Sequence, residues 1–220
     1  MTKTEMTRVR RPVEAARATY DSLSRYYDWL AASEKKYTDI GLRQLAARPG
    51  EQILEIGFGT GYALLALAQA VGPLGKVCGV DISEGMYRVA QKKLEEAGLS
   101  ARGALKVGDA RQLDYQADMF DGVFMSFTLE LFDTPDIPVV LAECQRVLRS
   151  SGRLCVVALS KDAELGLVAR FYEWLHVQFP AYIDCRPIFV KEVLQEAGFQ
   201  PIAVEKRTMW GLPVAIVLAR

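Results

Sequence analysis

The stretch Ile53-Leu54-Glu55-Ile56-Gly57-Phe58-Gly59-Thr60-Gly61-Tyr62 is an apolar strand that carries one carboxylate and runs into three glycines on alternate positions before a helix begins. Glycine is needed where the backbone must turn with positive φ or where a ligand must approach main-chain atoms. Gly57, Phe58, Gly59 and Gly61 therefore describe a tight strand-to-helix turn wrapped on a nucleotide-like ligand.

Spacing narrows the ligand. A dinucleotide fingerprint places its third glycine where pyrophosphate and helix come close, and in this register that place holds the bulky ring of Tyr62. Glu55, just ahead of the first glycine, would repel phosphate but attract a cation. A positively charged, phosphate-free adenosine compound fits better, and S-adenosyl-L-methionine is the obvious candidate. The strand from Lys76 ends in Asp81, twenty residues after Gly61, where an acid accepts from ribose hydroxyls. The strand from Leu105 ends in Asp109-Ala110, where an acid can accept from the exocyclic amine of adenine.

With three acids closing three successive strands, the chain resembles the class I S-adenosylmethionine-dependent methyltransferases from about Gln52 to Val157. The resemblance implies that the glycine loop faces the methionine moiety, that Asp81 binds ribose, that Asp109 meets adenine, and that Ile82 packs on the adenine face with Met86 nearby. Phe120 to Ser126 resembles the fourth strand of that family, and Leu148 to Leu154 the turn into the fifth, with Ser151-Gly152 in place of the usual proline-glycine.

Strands are expected near 52–56, 76–81, 104–108, 120–126 and 152–158, and helices near 61–71, 84–97, 136–148, 163–177 and 188–197. Pro201 to Arg207 and Pro213 to Leu218 read as a hairpin through Trp210-Gly211. The implied fold class is α/β: a Rossmann-like, seven-stranded, mostly parallel sheet with an antiparallel C-terminal hairpin strand and helices on both faces. Apolar spacing from Val13 to Ala47, including Tyr20, Tyr27, Ile40, Leu42 and Leu45, suggests two helices. The expected division of one methyltransferase domain is a flexible arm at 1–12, a helical lid at 13–48, a cofactor-binding core at 49–160, and acceptor-side helices with the terminal hairpin at 161–220. The segment around Tyr20 and Tyr27 is similar to the N-terminal helix that closes over cofactor in quinone-biosynthesis methyltransferases.

Charge and cysteines exclude other classes. The 220 residues hold 27 basic and 27 acidic side chains, so no net field recruits nucleic acid or anionic lipid, and no nucleic-acid partner is expected. Four cysteines without C-x-x-C spacing and one histidine do not suggest a metal site. No signal sequence or membrane span is visible, so a cytoplasmic protein is expected, a monomer or homodimer without stable membrane insertion, although peripheral contact is left open.

Methyl transfer from a sulfonium is an in-line displacement, so the protein mainly aligns a small-molecule acceptor and excludes water. A ring carbon or neutral hydroxyl also needs a proton removed. The two candidates for that task are His176, the single histidine, and Glu130 after the fourth strand; Ser126, a further cofactor-binding candidate, and Asp133 flank the same exit. An ordinary helix-face role for His176 and a loop-acid role for Glu130 are the competing readings. Arg186 either meets an anionic acceptor group or is structural. The reading is a methyltransferase for a neutral or lipophilic, quinone- or phenol-like acceptor. The alternatives are a phospholipid or small-amine N-methyltransferase, an inactive S-adenosylmethionine-binding protein, and a nicotinamide oxidoreductase.

Overall fold

The computed structural model describes residues 6, 8, 9, 17–21, 31–161 and 185–220. Seven strands form one sheet: β1 (Gln52–Ile56), β2 (Lys76–Asp81), β3 (Gly103–Val107), β4 (Phe120–Ser126), β5 (Leu148–Leu159), β6 (Pro201–Met209) and β7 (Leu212–Ala219). Their order is β3-β2-β1-β4-β5-β7-β6. The first five run parallel, and β7 lies antiparallel to both β5 and β6. Strand order reverses between β1 and β4, and the crevice at the carboxyl ends of these two strands is where ligands bind in open α/β sheets.

Helices α1 (Lys35–Leu45), α2 (Tyr62–Ala70), α3 (Glu84–Glu96), α4 (Asp136–Val147) and α5 (Val190–Glu196) cover the sheet, and residues 17–21 are also helical. Alternation along each central strand decides which helices it meets, because successive side chains point to opposite faces. Leu54, Val123, Met125 and Val156 join Ile137, Leu141 and Leu194 of α4 and α5 in one buried cluster. Ile53, Phe124, Cys155 and Val157 join Tyr37, Leu64, Ala90 and Leu94 of α1, α2 and α3 in the other. The near-continuous apolar runs of the sequence are those of a sheet buried on both faces.

Two expectations need correction. The Ser151-Gly152 turn is part of β5, which begins at Leu148 directly after α4 and shifts register against β4 between Phe120 and Gly122. Gly152 has no positive φ; it is required because a Cβ there would lie 2.8 Å from Leu148 and 2.9 Å from the Arg149 carbonyl. The second correction concerns α1, which belongs to the segment expected to be a lid but is a layer of the core. Its buried face is Tyr37, Thr38, Gly41 and Leu45, rather than the expected Ile40, Leu42 and Leu45. Gly41 lets the helix approach the sheet so closely that a Cβ would stand 2.5 Å from Val157. Arg153 holds the far end, donating to the Leu45 and Ala46 carbonyls at 2.5 and 3.0 Å and to Glu51 at 2.7 Å. These bonds satisfy carbonyls that a helix C-terminus leaves without partners.

Candidate functional site

The glycine loop leaves β1 and enters α2 along the crevice. Gly57 and Gly61 both have positive φ, +70° and +85°. At Gly57 the close neighbour is protein: an added Cβ would meet Thr128 at 2.4 Å, so the loop is pressed against the exit of β4. Gly61 caps α2, and a Cβ there would stand 3.0 Å from Ala90, so this glycine lets α2 pack on α3. Gly61 does not line the pocket, whereas its neighbours Thr60 and Tyr62 do.

Asp81 fixes the loop from the side. Its carboxylate accepts from the Gly59 amide at 2.9 Å and from the Ser83 amide at 2.9 Å. Burial raises its pKa, opposed by these two amides, while Asp21 adds to the rise. Glu55 is 3% exposed, and burial, reinforced by Asp81, pushes its carboxyl well above the usual carboxylate range. One of its oxygens, Oε2, is buried with no hydrogen-bond partner. An orphaned buried acceptor beside a second acid needs hydrogen-bond donors or a cation. The α-ammonium of S-adenosylmethionine would supply both, so these residues fit that cofactor.

One pocket gathers most of the expected residues: Tyr20, Glu55, Gly57, Phe58, Gly59, Asp81, Ile82, Met86, Asp109, Ala110 and Ser126 all line it. Ser126 shares a 2.8 Å hydroxyl contact with Thr38. Asp109 is already engaged. Arg111 grips its carboxylate with Nε at 3.1 and 2.9 Å and Nη2 at 2.6 Å. Desolvation pulls the Asp109 pKa upward, but the combined bonds and charge of Arg111 leave it lowered.

Glu130 sits differently from expectation. It is fully buried, does not line the pocket, and accepts from the Leu159 amide at 3.0 Å. Desolvation pushes its carboxyl up to about 8, a rise moderated by backbone bonds and the charge of Arg186 and increased by Glu34. Arg186 is also fully buried, donates to the Phe132 carbonyl at 2.8 Å, and braces the pocket wall from behind. Tyr27 and His176 lie outside the described residues.

The sequence did not single out the apolar half of the pocket, which includes Val9, Phe127, Leu131 and Phe132. Phe127 holds φ +51°, a left-handed conformation unusual for an aromatic residue, and its amide donates to the Val157 carbonyl at 2.7 Å. The usual signal for such a conformation is glycine or asparagine, so Phe127 gave none. Val9 arrives from far along the chain. Arg8 forms a bidentate pair with Asp133 at 2.6 and 2.8 Å, and the Val9 amide donates to the same carboxylate at 2.9 Å. Across the pocket, Asp21 accepts from the Ser83 hydroxyl at 2.6 Å and the Gly85 amide at 2.8 Å, and Arg17 donates to the Ile82 carbonyl at 2.7 Å.

Among the described residues no group of side chains is arranged to hold a metal ion, and no helix is long and apolar enough to cross a membrane.

Comparison with known proteins agrees with this geometry. A family model described as a methyltransferase domain matches residues 53–152. The demethylmenaquinone methyltransferase of Geobacillus kaustophilus (strain HTA426) is 30% identical over 227 residues, spanning 91% of this chain and 92% of that protein. The enzyme of the same name from Symbiobacterium thermophilum is 29% identical over 202 residues, 90% of this chain and 78% of that protein. The fold is also that of the Burkholderia thailandensis 1,6-didemethyltoxoflavin-N1-methyltransferase, solved with 1,6-didemethyltoxoflavin and S-adenosylhomocysteine. That structure matches with a TM-score of 0.71 at 18% identity, over 100% of this chain and 97% of that one. Glycine loop, strand-end acids, sheet order and relatives agree: the chain belongs to the class I S-adenosylmethionine-dependent methyltransferases, resembles their ubiquinone/menaquinone-biosynthesis type, and is an enzyme that uses S-adenosylmethionine.

Proposed function

We propose that the methyl acceptor is a small lipophilic molecule of the quinone or phenol kind. The observation that carries this reading is the apolar wall of one pocket: Glu55, Asp81 and Asp109 stand at or just beyond the ends of β1 to β3, while Val9, Phe127, Leu131 and Phe132 line the exit of β4, where the adjoining acid, Asp133, is paired with Arg8. A flat apolar ring would bury its faces against the second group while the sulfonium is held by the first. That the two relatives above carry the name demethylmenaquinone methyltransferase supports the same class of acceptor.

In this reading Asp81 holds the ribose hydroxyls, Asp109 the adenine amine, and Glu55 the amino group of the methionine moiety. S-adenosylmethionine supplies the electrophilic methyl. The chain aligns the acceptor behind it and excludes water, with Val9 and Tyr20 completing the walls as a lid. Glu130 does not remove the acceptor proton, since it is buried behind the pocket wall and remains protonated below about pH 8. The partner is thus a small molecule rather than nucleic acid.

Purified protein supplied with S-adenosylmethionine and a short-chain demethylmenaquinol, followed by mass spectrometry, tests the acceptor class. A methylated quinol is the expected product. Methylation of phosphatidylethanolamine or a small amine in place of the quinol would overturn the reading, and so would cofactor binding without transfer to any of them. Glu130→Gln is expected to keep turnover within about threefold, whereas loss of a true general base costs on the order of 100-fold or more.

A further inference from the structure

We propose that Arg111 is a positioning residue that sets purine specificity, fixing the Asp109 carboxylate so that it accepts from a 6-amino purine and rejects a 6-oxo purine. The inference rests on the reading above that Asp109 meets adenine. Asp109, Ala110, Arg111 and Asp136 all line the pocket, at its β3 side and at the first turn of α4. Besides its bidentate grip on Asp109, Arg111 reaches the Asp136 carboxylate through Nη1 at 3.1 Å. Its own backbone amide donates to Asp109 Oδ1 at 2.9 Å. The guanidinium is therefore held between two carboxylates on different elements, each bond fixing its orientation on Asp109.

Counting acceptor sites gives this clamp a chemical consequence. A carboxylate offers roughly four lone-pair sites. The Arg111 amide, Nε and Nη2 together take most of them, Nε being shared between both oxygens. What remains suits a single N–H donor such as an exocyclic amine. A 6-oxo group would bring its own lone pairs against an anion with no proton to give, the unpaired polar arrangement that makes hydrogen-bonding sites selective. Without the Arg111 side chain the carboxylate, held by the backbone amide alone, would be free to turn away from the purine edge, so that its attraction for an amine and its repulsion of a carbonyl fade together.

The test is calorimetric titration of the full chain with S-adenosylhomocysteine and with S-inosylhomocysteine, its 6-oxo counterpart. The unaltered protein is expected to prefer the amine by about tenfold or more, the scale of one hydrogen bond to a charged group. Arg111→Gln should weaken S-adenosylhomocysteine by about tenfold and bring the two ligands within about threefold of each other, with Arg111→Lys between. Asp136→Asn, which releases the guanidinium from its far side, should narrow the ratio in the same direction. In turnover, Arg111→Gln should raise the KM for S-adenosylmethionine and leave kcat within about threefold, as for an interaction made equally in ground and transition states. An unchanged ratio in both Arg111→Gln and Asp136→Asn, or an equal weakening of both ligands, would overturn the role of Arg111. Asp109→Ala separates the two layers of inference: a preference that survives in that variant would mean that a contact other than the Asp109 carboxylate, such as one to N1, which changes from acceptor to donor between the two ligands, sets the purine preference, and the proposal would fall.

Discussion

Two buried glutamates show how position alone gives one residue type different work. Each has one buried oxygen, Oε2, without a hydrogen-bond partner, but Glu55 lies at the pocket, whereas Glu130, whose Oε1 accepts from Leu159, lies behind the wall. Both are pushed upward by desolvation, but only Glu55 faces the space a ligand can enter. Glu130 therefore acts on stability. The folded protein holds its proton to about pH 8, while the unfolded chain releases it near the ordinary value of 4.5, so the folded state binds more protons between these limits. Stability is lost as pH rises through that window, because a state gains from pH only when the other state binds more protons. Gln keeps the Leu159 bond and never ionises. The Tm of Glu130→Gln should match the unaltered protein near pH 4.5 and exceed it by about 10 °C at pH 8.5. Thermal melts across this range check it, and a difference that shrinks with rising pH would exclude a buried neutral Glu130.

Among the elements, the described N-terminal residues differ most from what periodicity suggests. Arg8 and Val9 hold the exit of β4 through Asp133, and Arg17 and Asp21 hold the start of α3, so the chain is tied on both sides of the pocket mouth. Arg8, through hydrogen bonding, holds the Asp133 carboxyl down to about 2 against the opposing effect of burial. An exposed ion pair contributes little by itself, ~0–1 kcal/mol, but here it is joined by a backbone bond and closes a wall of the pocket. Asp133→Asn should speed tryptic cleavage after Arg8 and Arg17 several-fold and weaken S-adenosylhomocysteine binding by about threefold to tenfold, with smaller effects at high salt. Unchanged cleavage and binding would mean that these bonds do not hold the cover in place. By contrast α1, further along the chain, is fixed by core packing and by Arg153, and no such salt sensitivity is expected of it.

On the scale of the whole molecule, the C-terminal hairpin completes the sheet that carries the site. Val214, Ala215, Ile216 and Val217 of β7 are fully buried, and β7 pairs with β5 from Leu154 to Leu159. Thr208 of β6 accepts from the Tyr37 hydroxyl at 2.5 Å and so ties α1 to the hairpin. Removing residues 200–220 would expose the β5 edge and one side of both buried clusters. Such a truncation should yield aggregated or unfolded protein rather than a smaller enzyme, because an exposed apolar edge strand templates pairing between chains. Soluble yield and circular dichroism provide the check; a soluble, cooperatively folded product would refute it.

The cofactor half of the site was legible because it is local. Three strands each end in an acid, and the loop that joins the first strand to its helix needs glycine at positions its neighbours dictate, so Gly57, Asp81 and Asp109 carry their meaning within a few residues. Strand order, and helix order among the described residues, followed from the same alternation and periodicity; the helix expected near 163–177 lies outside those residues. The acceptor half is built from contacts between distant segments: Val9 on Asp133, Arg186 on Phe132, Phe127 turned against Val157, and Arg111 set between Asp109 and Asp136. No periodicity encodes those meetings. Burial likewise belongs to the tertiary structure: the sequence names Glu55 and Glu130 as acids, but only packing leaves one with an open oxygen at the pocket and moves the other behind its wall. The sequence by itself determined the sheet, its ligand edge and the class of cofactor, because backbone geometry and strand-end chemistry are short-range. The tertiary structure decided which apolar side chains face the methyl group and which charges clamp the acids, because those depend on which remote surfaces the fold brings together and shields from water.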